Sequence, residues 1–321
     1  MANKEVQKKN PFMTVKEESV SPEEFHYREI LFPRFTSKKS LQFVEKEFQV
    51  QDGFTFLVSY PKSGTHWLIE ILSLIQTNGD PTWVQTVSSF HRAPWIEASV
   101  ATDMLKEIKP PHFLTTHLPI QFLPPSFFTS ETKIIYLIRN PKDVAVSYYY
   151  FSFVIQKSYL PESFDQLLEE FLQGKGEKVI YGSWFEHIRG WLQMKDKENF
   201  LLVSYEELYQ DMRGSVMKIS RFLGKKLDEQ ALDSVVKYSS FQAMKDNEMS
   251  NLSLAPDILV DHSKGSLLRK GAMRQEEEEC KFHHFATRTT ISMENRELKM
   301  EKKKSVTTAQ VKKVTSGVSL Q

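Results

Sequence analysis

The octapeptide Tyr60-Pro61-Lys62-Ser63-Gly64-Thr65-His66-Trp67 constrains this chain more than any other stretch. It follows the apolar run Phe54 to Val58 and precedes the amphipathic run Trp67 to Ile75. That order spells a strand, a tight turn and a helix, the repeating unit of an α/β fold. Ser63, Gly64 and Thr65 bring backbone N–H groups and hydroxyls to a helix N-terminus, where the helix dipole favours an anion. Lys62 adds a positive charge, so a phosphate or sulfate there meets donors on several sides. The loop is P-loop-like but differs from the nucleotide-triphosphate loop. There the lysine comes late, after a longer glycine-rich turn, and a Ser or Thr follows to hold magnesium. The other reading is an ordinary strand-to-helix turn, with Gly64 easing a close approach.

The rest of the chain repeats the alternation. His112–Thr116, Lys133–Ile138 and Phe200–Ser204 are apolar, β-branched or aromatic, as buried strands are. Helical patterns lie between them. Trp67, Ile71, Leu72 and Ile75 share one face, and Val144, Tyr148 and Phe151 share another after Pro141 at a helix start. Further helices are predicted over Ser163–Leu172, Trp184–Met194, Ser215–Leu223 and Glu229–Tyr238. The pattern predicts a single α/β domain over 25–271, with a central parallel sheet flanked by helices. Residues 1–24 are polar and charged and read as a flexible extension. After Gly271 the character changes. Residues 276–279 are four consecutive glutamates, and from Lys299 onward the chain is basic and rich in Ser, Thr and Val. Residues 272–321 therefore read as a divergent, partly disordered tail, with a docking segment as the other reading.

Charge and cysteine usage narrow the function. The net charge of +1 gives no global attraction to nucleic acid, so no nucleic-acid partner is expected. No apolar run approaches membrane-spanning length, and Met1 to Glu24 lacks the apolar core of a secretory signal. A cytoplasmic protein without membrane insertion is expected. Cys280 is the single cysteine, which rules out an intrachain disulfide and a cysteine zinc site. Asn251-Leu252-Ser253 fits a glycosylation sequon, a chance match if the chain is not secreted.

Three further clusters carry chemistry. Thr115-Thr116-His117-Leu118-Pro119 puts His117 at the C-terminal end of a predicted strand, the sheet edge where ligands bind in open parallel sheets. A neutral imidazole there can take a proton from a hydroxyl; the other reading is a structural histidine. Tyr136-Leu137-Ile138-Arg139-Asn140-Pro141-Lys142-Asp143 ends a strand with Arg139 and leads to Ser147 on the next helix. An arginine fork and a hydroxyl suit a phosphate monoester; the other reading is an Arg139–Asp143 surface pair. Leu268-Arg269-Lys270-Gly271 offers two adjacent cations that also suit a phosphate; the other reading is a common surface basic pair. Two anion sites, one base and several aromatics suit a nucleotide carrying two phosphate groups.

These residues resemble the cytosolic sulfotransferase family, and within it the hydroxysteroid (alcohol) branch. The resemblance rests on YPKSGTHW, TTHLP, YLIRNPKDVAVSYY, YGSWFEHIRGW, NFLLVSYEEL, FLGKKL, SSFQAMKDN and LLRKG, in order from about Phe32 to Gly271. It implies 3′-phosphoadenosine 5′-phosphosulfate (PAPS) as sulfonate donor, a hydrophobic hydroxyl-bearing acceptor such as a steroid, bile acid or other alcohol, and no metal. It implies that Lys62, Ser63, Gly64, Thr65, His66 and Trp67 surround the 5′-phosphosulfate, with Trp67 also beside the adenine. Arg139, Ser147, Arg269, Lys270 and Gly271 would hold the 3′-phosphate. Tyr205 and the segment Ser239, Ser240, Phe241, Gln242, Ala243 and Met244 would enclose the adenine. His117 would be the general base and Lys62 the cation that meets charge on the leaving oxygen. Ser147 would interact with that lysine and restrain donor hydrolysis. Phe90, Trp95 and the Tyr148–Phe153 region match segments near the family's acceptor pocket; the other reading is ordinary core packing, and for Tyr148–Phe153 the two weigh equally.

The chain departs from the family at named positions. His66 replaces an asparagine or threonine, Phe90 a tryptophan, and His91, read as a rim residue, a glutamate. After Gly271 the family continues with Gly-Asp-Trp-Lys-Asn and a short dimer-forming motif. Here Ala272-Met273-Arg274-Gln275 and the glutamate run follow, as in an alternatively spliced or frame-shifted product. The family's homodimer is therefore doubtful for this chain. A nucleotide-binding but catalytically weak variant is the alternative to an active enzyme. A magnesium-dependent kinase is a third reading, which the early lysine disfavours.

Overall fold

The structure is a computed structural model and describes residues 21, 23–155, 160–174, 179–266 and 268. Its centre is a four-stranded, fully parallel sheet in the order β4-β3-β5-β6. The strands are β3 (Phe54–Ser59), β4 (His112–Thr116), β5 (Lys133–Ile138) and β6 (Phe200–Ser204). All four fall where the apolar runs predict them. Every residue of β3 is buried, as a strand covered on both faces must be. Each fully buried Phe, Leu or Val side chain of the sheet contributes about 1.5–3 kcal/mol relative to exposure.

Helices connect the strands. They include α1 (Lys38–Lys46), α2 (Thr65–Gln76), α3 (Pro141–Val154), α4 (Phe164–Gln173), α5 (Trp184–Leu192), α6 (Tyr205–Gln210), α7 (Met212–Leu223), α8 (Glu229–Tyr238) and α9 (Phe241–Asp246). Their starts follow the capping chemistry of the sequence. The Asn140 side chain accepts from Lys142 N–H with Pro141 in the first turn of α3, and Ser204 makes a full capping box with Glu207 at α6. One feature lies outside the α/β alternation predicted from Phe25 onward. An antiparallel hairpin, β1 (Phe25–Tyr27) and β2 (Ile30–Phe32), precedes the sheet. Its three-residue strands are too short to give a legible period.

The strand order creates one crevice. From β3 the chain moves to β4 on one side, and from β5 it moves to β6 on the other. The carboxyl ends of neighbouring β3 and β5 therefore flank the point where the winding reverses, the usual ligand site of such sheets. The register aligns Val58 with Thr116, Ser59 with Leu137 and Ile138 with Ser204. The loop after β3, His117, Arg139 and Tyr205 thus all leave the same edge. The Arg269, Lys270 and Gly271 assignments, and the divergent tail, lie outside the described residues.

Candidate functional site

The loop after β3 is shaped for close approach. Gly64 is the N-cap of α2 with φ 104°, and Lys62 holds φ 70° without being glycine. A non-glycine residue held there costs about 1–3 kcal/mol, a strain typical of functional loops. A Cβ on Gly64 would lie 2.7 Å from Tyr205 Cδ2. Ser63 and Thr65 are buried, and the Thr65 hydroxyl pairs with Ser59 Oγ at 2.7 Å. The Lys62 ammonium lies 3.9 Å from the centroid of the Phe151 ring on α3. Ser147, half-buried, stands one helical turn before Phe151 and so on the same side of α3.

Arg139 bridges the two strands that flank the crevice. Its guanidinium donates to the Lys62 carbonyl at 3.0 Å and lies 4.1 Å from the centroid of Tyr205. Its buried Nε has no hydrogen-bond partner among the described residues. An orphaned guanidinium N–H beside a helix N-terminus fits an anionic ligand. Trp67 meets Tyr205 edge-on at 5.2 Å and donates its indole N–H to the Ser239 carbonyl at 2.9 Å. That bond ties the loop helix to the 239–244 segment. There Ser240 caps α9 through Ala243 N–H, and Ser239 and Met244 are buried. Phe241 stays exposed, Ala243 is half-buried, and Gln242 pairs outward with Asp246. Trp67 and Tyr205 make this side of the crevice aromatic.

His117 follows β4, the other neighbour of β3, and is buried. Its Nδ1 lies 2.7 Å from the Ser59 carbonyl. A carbonyl can only accept, so Nδ1 carries the hydrogen and Nε2 keeps its lone pair. Burial, with Lys62 adding to it against the Ser59 bond, pushes the imidazole pKa down to about 4. The ring is therefore neutral at pH 7 and able to accept a proton. Trp95 packs against it at 6.0 Å and stacks on Phe90 at 6.1 Å. His66 sits between the loop and this wall. Its ring meets Trp95 at 5.2 Å, its Nδ1 is 3.4 Å from Ser89 Oγ, and burial pushes its pKa down to about 3. His91 is half-buried and bonds Ser88 Oγ at 2.9 Å. Tyr148 is buried in the hydrophobic core. Its hydroxyl accepts from Ile180 N–H at 3.0 Å.

Several residues around the site were not singled out from sequence. Glu97 is wholly buried, and its Oε1 accepts from His117 N–H at 2.8 Å and from the Tyr181 hydroxyl at 3.2 Å. Burial pushes its pKa up to about 7. Glu70 of α2 and Arg92 form a buried ion pair at 2.7 Å, which Ser250 Oγ joins. This pair locks the loop helix to the turn carrying Phe90. The sequence signal was available at Trp95-Ile96-Glu97-Ala98, where a lone carboxylate interrupts an apolar run. Glu70 gave none, because the mid-helix charge reads as a solvent face.

Among the described residues, no cluster of three or more His, Cys, Asp or Glu side chains could hold a metal ion, and no helix is long and apolar enough to cross a membrane. The arrangement pairs a cationic, aromatic cradle with a neutral imidazole beside aromatic walls. Known proteins are similar to this chain over most of its length. The family described as "Sulfotransferase domain" matches residues 52–290. The 3-beta-hydroxysteroid sulfotransferase of Cavia porcellus is 50% identical over 249 residues, covering 78% of this chain and 84% of that protein. Sulfotransferase 2A1 of Macaca fascicularis is 49% identical over 243 residues, covering 75% and 84%. A crystal structure of mouse sulfotransferase SULT7A1 complexed with PAP superposes with a TM-score of 0.66 at 30% identity, covering 83% of this chain and 94% of that one.

Proposed function

This chain belongs to the sulfotransferase family, and from that premise we propose that it moves a sulfonate from PAPS to the hydroxyl of a steroid or similar hydrophobic alcohol in the cytoplasm. The acceptor class rests on hydroxysteroid relatives at about half identity and on the Phe90–Trp95 wall beside His117. The donor rests on the orphaned Arg139 N–H and the strained loop at Lys62 and Gly64.

The residues divide the work. Ser63, Gly64, Thr65 and the α2 N-terminus receive the 5′-phosphosulfate, while Arg139 and Ser147 take the 3′-phosphate. Trp67, Tyr205 and Phe241 enclose the adenine. His117 accepts the acceptor's hydroxyl proton at Nε2 while the alcohol oxygen forms its bond to sulfur. The bond from sulfur to the bridging phosphate oxygen breaks in the same in-line displacement. Lys62 meets the negative charge that grows on that oxygen, an electrostatic contribution already in place before reaction. Metal is not part of this scheme.

The single observation that carries this reading is the His117 tautomer: Nδ1–H is held by Ser59, so a neutral Nε2 is left to act as base. The test is His117→Ala, with turnover of radiolabelled PAPS on a hydroxysteroid panel and calorimetry with adenosine 3′,5′-bisphosphate. Turnover should fall by about 10²-fold or more, the scale of a positioned base, with bisphosphate affinity unchanged. A near-normal rate would remove His117 from the role. Tight bisphosphate binding by the unaltered chain without turnover would favour the catalytically weak alternative.

A further inference from the structure

β4 ends at Thr116, so the main chain of His117 has left the sheet ladder while still inside the protein. An unpaired buried N–H or C=O there would cost about 1–3 kcal/mol. Neither group is left unpaired, and neither is bonded to another strand. The N–H goes to Glu97 Oε1 at 2.8 Å. The carbonyl lies 3.1 Å from His187 Nε2. The next carbonyl, Leu118, accepts from the Trp191 indole at 3.1 Å. His187 and Trp191 are four residues apart and so lie on one face of α5. Both are buried.

The tautomer of His187 follows from its partners. The His117 carbonyl can only accept, so His187 Nε2 must carry the hydrogen. Its Nδ1 then has a lone pair, which takes the Tyr136 hydroxyl hydrogen across 2.9 Å. Tyr136 is itself fixed in the middle of β5, stacked on His187 at 5.9 Å and on Trp191 at 6.0 Å. The chain Tyr136 O–H, His187 N–H, His117 C=O is therefore directional, with one hydrogen per link. An i,i+4 pair of ring donors on one helix grips two successive carbonyls at the strand exit that bears the base.

We propose that His187 and Trp191 are positioning residues for His117, a grip by α5 that aims the base's Nε2 at the acceptor hydroxyl. The proposal rests on the sulfotransferase reading for its rate effect, but not for its effect on the His117 ring. A side chain one bond away from the main-chain grip has little freedom. With the carbonyl released, the peptide at 117–118 can rotate, and the Nδ1–H bond to Ser59 that fixes the base's tautomer loosens with it. Misplacement of a reacting group by about 1 Å can cost about 10²-fold in rate.

The experiment compares His187→Phe, which keeps the ring volume but loses the donor, with His187→Gln, whose amide can still donate. Tyr136→Phe and Trp191→Phe serve as milder breaks. His187→Phe should lower kcat about 10- to 100-fold, leave affinity for adenosine 3′,5′-bisphosphate within twofold, and be partly rescued in His187→Gln. Ring-nitrogen NMR of labelled histidine should show the single Nδ1–H tautomer of His117 in the unaltered chain and a mixture in His187→Phe. If His187→Phe does not fold, Tyr136→Phe should still shift the tautomer in the same sense and lower kcat by a smaller factor. Unchanged kcat together with an unchanged His117 tautomer in the folded variants overturns the proposal. Absence of turnover in the unaltered chain would count against the sulfotransferase reading instead, and the tautomer measurement would still decide the grip.

Discussion

Replacing Glu97 by glutamine should make the protein markedly more acid-sensitive. His117 and His187 are buried and neutral, with pKa values pushed down to about 4 and about 3, whereas an unfolded histidine titrates near 6.5. Because folding depresses these values, their stabilising contribution is full above about pH 6.5 and is lost as pH falls toward the folded values. Between about pH 8 and about pH 5 each costs about 2 kcal/mol, roughly 1.5 pKa units at about 1.36 kcal/mol per unit. Glu97 works the other way. Its folded pKa is raised by burial to about 7, so its contribution is full below the unfolded value and is lost as pH rises through about 7. Over the same interval it returns about 2.5 kcal/mol as the pH falls. The unaltered chain should therefore lose only about 1.5 kcal/mol on these three groups, and Glu97→Gln about 4 kcal/mol. Glutamine can still accept from His117 N–H and Tyr181, so the bonds at Oε1 survive. Any penalty from its new amide group is the same at every pH and leaves the slope alone. The half-buried His66 titrates in both proteins and cancels in the comparison. Urea unfolding followed by tryptophan fluorescence, with extrapolation to water at several pH values, reads the difference. Parallel stability curves for the two proteins would refute the assignment of a carboxyl that takes up its proton near neutrality.

Two other substitutions test the loop. Lys62→Ala should lower kcat about 10²-fold or more, the scale of losing one preorganised charge contact to the leaving oxygen, with little change in acceptor KM; steady-state kinetics at saturating donor would contradict this if only the acceptor KM moved. Gly64→Ala should destabilise by about 1–3 kcal/mol through its left-handed backbone and displace Tyr205, lowering Tm in a thermal melt and weakening adenosine 3′,5′-bisphosphate binding in calorimetry. An unchanged melt and unchanged affinity would mean that the turn accepts a side chain.

The sheet was legible because its four strands are short, apolar and bounded by polar turns, so β4, β5 and β6 begin and end where the sequence predicts. That alone put His117 and Arg139 at strand exits. The strand order was not legible, since nothing in Phe54–Ser59 says which neighbours it takes, and the crevice between β3 and β5 depends on that order. The loop after β3 was legible from Gly64 and Lys62, but the bond from Arg139 to the Lys62 carbonyl was not, because it joins residues that sequence spacing cannot bring together. Tyr148 shows the converse limit. A tyrosine on an apolar helix face reads equally as pocket wall or core, and its hydroxyl bond to Ile180 N–H puts it in the core. Glu97 interrupts an apolar run and was legible as a buried carboxylate, but its partner, the main chain of His117, was not; His187 acts on that same main chain and leaves no local pattern of its own.

The pair formed by Glu70 and Arg92 has a consequence for how this protein can vary over generations. Each side chain is almost wholly shielded from solvent, and stranding one charge by deleting the other costs about 3–5 kcal/mol, a large share of what holds an ordinary domain together. A lineage can exchange both for a well-packed apolar couple at little cost, yet every one-step route to that exchange passes through a badly weakened intermediate. The two positions should therefore be inherited as a unit.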